Sequence, residues 1–274
     1  MDYAVLMSVY WKENPEFLKQ SIESIFRQTI LPKQFILVKD GPLTKELEDA
    51  ISFLKHEGET EYSIQFTIVA LPQNAGLGPA LNQGLEKAEY EYIARMDSDD
   101  IAFPNRCELQ LQVFAKKQVD IVSGTVLEFG KDTKEIQAVK SLPEEQEEIL
   151  KYAKRRNPFN HPCVMFRRQV ILQAGMYQDV RWFEDYDLWV RALMQGAKGY
   201  NTKEPLLYMR AGSDMYLRRG GLKYVGKGIA FRWKLRKIGF SGNRDFLVSV
   251  CGQIFMGLMP NGLRKKFYKK ILRR

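Results

Sequence analysis

Short β-branched runs alternate with helix-period segments through the first hundred residues, and that alternation limits the kind of sheet this chain can build. "AVLMSVY" (4–10), "QFILVKD" (34–40), "FTIVAL" (66–71) and "YIARM" (92–96) are apolar along most of their length rather than at every second position. That is the pattern of strands covered on both faces. Between the first two, "PEFLKQSIESIFRQ" sets Phe17, Leu18, Ile22, Ile25 and Phe26 at helical spacing behind Pro15. Further helices are expected at about 44–56 and from near Pro79. Such a βαβαβαβ series predicts an α/β fold, a mostly parallel central sheet flanked by helices. Ligands of these sheets sit beyond the carboxyl ends of the strands. Ser8 to Tyr10, Lys39 to Gly41 and Asp97 to Asp100 are therefore expected to line one crevice. Beyond residue 105 the reading becomes mixed: helices over 105–117 and 144–156, strands over 120–129 and 163–168, a helix "YDLWVRALMQG" ending at Gly196, and a last strand "LLYMR" (206–210).

Charge divides the chain. Sixteen of its 42 Lys and Arg, but only one of its 33 acids, Asp245, fall within 215–274. The tail is thus locally +15 on a body (1–214) of net −6, and the two parts are expected to meet different partners. Three widely spaced cysteines, Cys107, Cys163 and Cys251, suggest neither a disulfide framework nor a zinc site. The start "MDYAVLMSVYW" has an acid where a secretion signal carries bases. Both observations favour a cytoplasmic setting.

The densest chemistry is "YIARMDSDDI", three carboxylates in four residues at a strand end. Asp97 and Asp99 in one turn form a hard all-oxygen shell suited to Mg²⁺ or Mn²⁺, and a divalent ion relieves their mutual repulsion. Aspartates also favour turns for their own bonds to backbone N–H groups, and Asp100 is expected to cap toward Asn105. A haloacid-dehalogenase-type phosphatase would place its nucleophile at Asp97 in the same pattern, and spacing alone does not separate these readings. Other motifs fail. "GLKYVGKG" (221–228) lacks the hydroxyl residue and the preceding strand of a phosphate-binding loop, "GLGPAL" (76–81) lacks a third glycine, and no GxSxG is present.

"VLMSVY", "ILVKDGP", "NAGLGPALNQGL", "YIARMDSDD" and "FEDYDLWVRAL", in this order and spacing, resemble family 2 glycosyltransferases of the GT-A fold, above all bacterial enzymes that build capsule, exopolysaccharide or lipopolysaccharide. The resemblance covers about residues 3–212. It implies an inverting, metal-dependent transfer from a nucleotide-sugar donor, a UDP-sugar, to a lipid-linked glycan. On this likeness Asp40 accepts from the uracil ring. Ser8, Val9, Tyr10, Asn74, Gly76, Asn82 and Ser98 wall the nucleotide site. Asp97 is the ribose- or metal-side carboxylate and Asp99 the direct metal ligand. Asp185 matches the general base that deprotonates the acceptor hydroxyl, Glu184 its orienting neighbour, and Asp187 a first-turn acid favoured by the helix dipole. Two positions depart from the family: Leu81 replaces an arginine, and where relatives carry a histidine after the last strand this chain offers Arg210, Ser213 and Asp214. His161 stands near the acceptor-side segment, as a contact residue or a structural loop histidine.

"FLVSVCGQIFMGLMP" (246–260) is too short to span a bilayer. Flanked by basic segments, it is expected to lie on an anionic membrane surface. That places the chain on the inner face of the plasma membrane, with 1–214 as the catalytic domain and 215–274 as the membrane-associating region. The competing readings are an ordinary core helix and a non-enzymatic membrane or nucleic-acid binding module; no recognised nucleic-acid module accompanies the charge.

Overall fold

The computed structural model describes residues 1–212, 220–260 and 262–263. Ser213, Asp214 and the basic end of the chain (264–274) lie outside the described residues. The first half follows the expected alternation: β1 (Tyr3–Val9), α1 (Pro15–Phe26), β2 (Gln34–Lys39), α2 (Lys45–Thr60), β3 (Gln65–Ala70), α3 (Leu77–Glu86) and β4 (Tyr92–Asp97). Asn14 starts α1 by accepting from the Glu16 N–H at 2.8 Å, with Pro15 in the first turn where its missing N–H costs nothing. Strands β3, β2, β1 and β4 lie side by side, all parallel. Their unbroken apolar runs now have a cause. Tyr3, Val5, Met7 and Val9 enter one core with Leu18, Ile22 and Leu47 of α1 and α2. Ala4 and Leu6 enter a second core with Ala80, Leu81 and Leu85 of α3. With both faces covered, each fully buried Leu or Phe contributes about 1.5–3 kcal/mol.

The second half holds β5 (Ile101–Ala102), α4 (Arg106–Lys116), β6 (Ile121–Phe129), β7 (Ile136–Lys140), α5 (Gln146–Ala153), a 3₁₀ turn (His161–Cys163), β8 (Met165–Arg167), α6 (Arg168–Gln173), α7 (Glu184–Met194) and β9 (Gly199–Arg210). The sheet continues from β4 through β8, β6 and β9 to β5, with β7 on β6. It is mixed, since its long pairings are parallel and the short strands β5, β7 and β8 run antiparallel to their neighbours. Strand β9 begins at Gly199 rather than 206, because "GYNTKEP" is held by hydrogen bonds and not by hydrophobic periodicity. Asn201, almost fully buried, donates to the carbonyls of Pro143 (2.6 Å) and Pro158 (3.0 Å).

A helical hairpin, α8 (Leu222–Lys237) and α9 (Asn243–Leu258), follows. Phe231 and Leu235 of α8 join Phe183, Tyr186 and Val190 in a third core. Asp187, in the first turn of α7 as expected, is 1% exposed and pairs with both Arg191 and Lys234. Its charge clamps α8 onto α7. The two hairpin helices approach closely through small residues: a Cβ on Gly228 would meet the Gln253 side chain at 2.5 Å, and one on Gly257 would meet Val225 at 2.2 Å.

Candidate active site

Strand register brings the expected residues together. In the parallel ladder Ser8 stands opposite Asp97, Val9 stands opposite Lys39, and the Asp40 N–H donates to the Val9 carbonyl at 2.8 Å. The ends of β1, β2 and β4 therefore form one edge, as the alternation predicted. Tyr10 and Trp11, just past β1, are exposed there.

Asp40 fastens the 74–76 loop. Its carboxylate accepts from the Asn74 side-chain amide (2.8 Å), the Ala75 N–H (2.7 Å) and the Gly76 N–H (3.1 Å). Gly41, at φ +88°, lets the loop close in, because a Cβ there would stand 2.6 Å from the Asn74 nitrogen. Asp40, Asn74 and Gly76 thus form one unit, but most of the carboxylate's accepting capacity is spent inside the protein. Asn82 behaves similarly. Its amide donates to the Tyr177 carbonyl and accepts from the Tyr177 N–H, so it ties α3 to the loop before α7.

The acidic turn is compressed. Burial first, then the charges of Asp97 and Glu13, push the Asp99 carboxyl up to about 7, with Arg210 pulling the other way. Glu13 accepts from the Ser98 hydroxyl, and Arg95, fully buried on β4, bonds Asp97. Neither Glu13 nor Arg95 was recognised from sequence. Glu13 lies in an irregular loop, and Arg95 looks like an interruption of an apolar run. Asp100 corrects an expectation: it caps no helix. Its Oδ1 accepts from the Arg210 N–H at 2.8 Å, while Asn105, which starts α4, makes no side-chain cap. The Arg210 guanidinium donates to the Asp99 carbonyl (2.9 Å) and Gln20 (3.0 Å), and its centre lies 3.8 Å from the Phe17 ring centroid. The end of β9 thus offers the acidic turn a cation.

The "FED" segment opens α7 against the donor side. A Cβ on Gly78 would lie 3.2 Å from Tyr177 Cβ and 3.8 Å from Glu184 Cγ, so only a glycine lets α3 come this near. Asp185 accepts from the Asn157 amide (2.6 Å) and the Tyr186 N–H (2.7 Å). Burial raises its pKa, and those bonds together with Lys140 and Arg95 oppose the rise. A carboxylate held in one orientation with raised basicity is suited to abstract a proton. Glu184 is half-buried and also raised, chiefly by burial. His161 bonds the Tyr177 hydroxyl at 2.8 Å, and burial keeps it neutral by lowering its pKa well below 6.5. Burial raises the pKa of the Tyr177 hydroxyl, Arg95 opposes the rise, and the charges of Asp185 and Asp97 add to it. Asn157 and Tyr177 were invisible in sequence because Asp185 lies 28 residues from Asn157, and His161 and Asn82 lie 16 and 95 residues from Tyr177.

The family model of glycosyl transferase family 2 matches residues 4–175. The chain belongs to that family. This glycosyltransferase is 35% identical over 274 residues, 99% of its own length and 97% of the relative's, to a UDP-Gal:alpha-D-GlcNAc-diphosphoundecaprenol beta-1,3-galactosyltransferase of Escherichia coli. It is 37% identical to the amylovoran biosynthesis glycosyltransferase AmsE of Erwinia amylovora, covering 98% of each chain. Among solved structures it superposes on S. aureus TarS 1–349 in complex with UDP-GlcNAc (TM-score 0.63, 12% identity, 97% of this chain and 70% of that one). It also superposes on the Pyrobaculum calidifontis mannosyltransferase PcManGT in complex with GDP-Man and Mn²⁺ (TM-score 0.64, 16% identity, 96% and 71%). Those identities establish the shared GT-A fold. The phosphatase reading of Asp97 and the non-enzymatic reading fall with the family assignment.

Proposed function

We propose that this glycosyltransferase moves a sugar from a UDP-sugar, with inversion, to a lipid-linked glycan at an anionic membrane surface during surface polysaccharide synthesis. The full-length likeness to an enzyme named for a UDP-sugar donor and a diphosphoundecaprenol acceptor supports the substrate classes. The single structural observation that carries the reading is the meeting of α3, whose preceding loop is fastened by Asp40 at the end of β2, with the α7 start, at Gly78, Tyr177 and Glu184. That closeness supports diphosphate handling and proton abstraction in one crevice.

The donor set fits a hard divalent cation, Mn²⁺ or Mg²⁺. Burial, then the charges of Asp97 and Glu13, raise the Asp99 carboxyl to about 7; such an ion offsets that repulsion, and Asp97 and Asp99 would hold it together with diphosphate oxygens. Bound there, the metal would offset the charge that develops on the leaving nucleoside diphosphate. Arg95 bonds Asp97 and orients it. Asp40 braces the 74–76 loop beside the nucleotide, so contact with the uracil ring passes through that loop as well as through the carboxylate. Asp185 takes the proton of the acceptor hydroxyl, and Asn157 keeps it aimed.

The hairpin supports membrane association. Helix α9 turns Ser249, Gln253 and Gly257 inward against α8, while Leu247, Val248, Ile254, Phe255 and Leu258 face outward, between 38% and 60% exposed. Their spacing forms one helical stripe, the reverse of what a solvated helix shows. No helix among the described residues is long and apolar enough to cross a membrane, so this face fits an interfacial position. A thermal-shift panel of UDP-, GDP- and dTDP-sugars with and without Mn²⁺ tests the donor, with the largest stabilisation expected for a UDP-sugar with Mn²⁺. Co-sedimentation with phosphatidylglycerol vesicles tests the surface, and loss of binding is expected for the Leu247→Ser, Phe255→Ser pair.

A further inference from the structure

Between the loop before α7 and the first two turns of α8 lies an open groove of about 560 Å³, lined by Arg181, Trp182, Leu222, Lys223, Gly226 and Lys227. Its composition is unusual for a solvent groove. Three cations converge with two large exposed apolar side chains, Trp182 and Leu222. Among the described residues none of the three cations has a carboxylate partner, and Arg181 instead covers the Trp182 ring at 5.2 Å. The first turn of α8 carries no acid to offset the positive end of the helix. Trp182 holds a left-handed backbone, φ +73°, unusual for a bulky residue. Its ring meets Tyr224 edge to face at 5.7 Å, so packing against α8 helps to fix it at the groove wall.

Position gives the groove its meaning. Trp182 is three residues before Asp185, at most ~11 Å along the chain, and Phe183 stacks on Phe231 of α8 at 5.0 Å. The same α8 packs on α9, whose outer face is the apolar stripe. The groove is thus built from the loop that leads directly into Asp185 and from the helix that carries α9.

We propose that this groove binds the diphosphate and first isoprene units of a polyprenyl-diphosphate-linked acceptor. Arg181, Lys223 and Lys227 hold the diphosphate, and Trp182 and Leu222 contact the lipid. The acceptor sugar then projects toward Asp185, three residues along the chain from Trp182. The inference rests on the lipid-linked reading above and adds its binding site. It also explains why the Lys227-containing "GLKYVGKG" segment resembles a phosphate-binding loop without being one: it forms a helix whose side chains, and not its backbone, meet the phosphates.

The test uses the full chain and farnesyl diphosphate, inorganic diphosphate and farnesol as probes, without donor. Farnesyl diphosphate should bind at least tenfold more tightly than either other probe. The Arg181→Gln, Lys223→Gln, Lys227→Gln variant should lose at least tenfold in farnesyl diphosphate affinity while keeping its UDP-sugar affinity and thermal midpoint. A control with the same charge change elsewhere, Lys131→Gln, Lys237→Gln, Arg244→Gln, should bind as the native chain does. Unchanged binding by the groove variant overturns the proposal. So does equal loss in the control, or inorganic diphosphate matching farnesyl diphosphate, since either shows general anion attraction. Absence of any nucleotide-sugar stabilisation would instead sink the donor reading, which these probes do not touch.

Discussion

The backbone N–H of Arg210 donates to the carboxylate of Asp100 at 2.8 Å across 110 residues of chain. This bond ties the end of β9 to the acidic turn, and it fixes which of three neighbouring aspartates is structural. Asp100 is 1% exposed, and burial followed by the charges of Asp99 and Asp97 raises its pKa well above the usual range. Asp100→Ala leaves the Arg210 N–H without a partner and should cost about 1–3 kcal/mol. Asp100→Asn keeps an acceptor and removes the like-charge repulsion, so it should be at least as stable as the native protein at pH 7. Urea denaturation of the two variants checks the contrast.

Asp99 should behave in the opposite way. Its carboxylate lies in the crowded part of the turn, and removing it relieves repulsion instead of breaking a described side-chain bond. Asp99→Ala is expected to be no less stable than the native enzyme yet to lose Mn²⁺-dependent UDP binding by at least tenfold in calorimetry. Tight UDP binding retained with Mn²⁺ would remove Asp99 from the metal site.

Asp185→Asn should bind the donor normally and lose about 10²–10⁴-fold in transfer rate, the usual contribution of a general base. Asn157→Ala acts through Asp185. The Asn157 amide favours the ionised carboxylate, so its loss moves the pKa further up. Activity requires the ionised form, so the acid limb of the rate profile should shift to higher pH in Asn157→Ala. An unshifted limb with lowered rate would leave Asn157 a packing role only.

His161 makes a prediction about stability. Burial, aided by Arg95, lowers its pKa below 6.5 in the folded chain, so below pH 6.5 the unfolded chain binds the proton first. Stability contributed by the neutral ring is present above the unfolded value and is lost as pH falls through it, by up to about 1.4 kcal/mol per pH unit. Asp99, Asp100 and Asp185 are raised and act in the opposite direction. The comparison is therefore between variants: His161→Gln should lose less stability than the native protein between pH 7 and pH 5. Parallel curves would show that the ring gains its proton without cost.

The parallel half of the sheet was legible because β1, β2 and β4 are buried on both faces and read as unbroken apolar runs, and the half-buried edge strand β3 has a similar composition. Asp97, Asp99, Asp40 and Asp185 could be placed in order because strand ends and helix starts carry turn and capping residues. The short antiparallel strands β5, β7 and β8 were harder to see, since two to five residues give no period to read. The polar half of β9 is set by Asn201 and its carbonyl partners.

Local sequence by itself determined the α/β class, the edge on which the site lies and the stock of carboxylates. Only tertiary structure decided what each one does. Asp40 is largely spent on the 74–76 loop, Asp100 on Arg210 and Asp187 on Lys234 and Arg191. Asp99 is crowded toward neutrality and Asp185 is aimed by Asn157. The reason is that a carboxylate's role depends on its burial and on the charges within a few ångströms of it, and here those charges come from residues as much as 111 positions away.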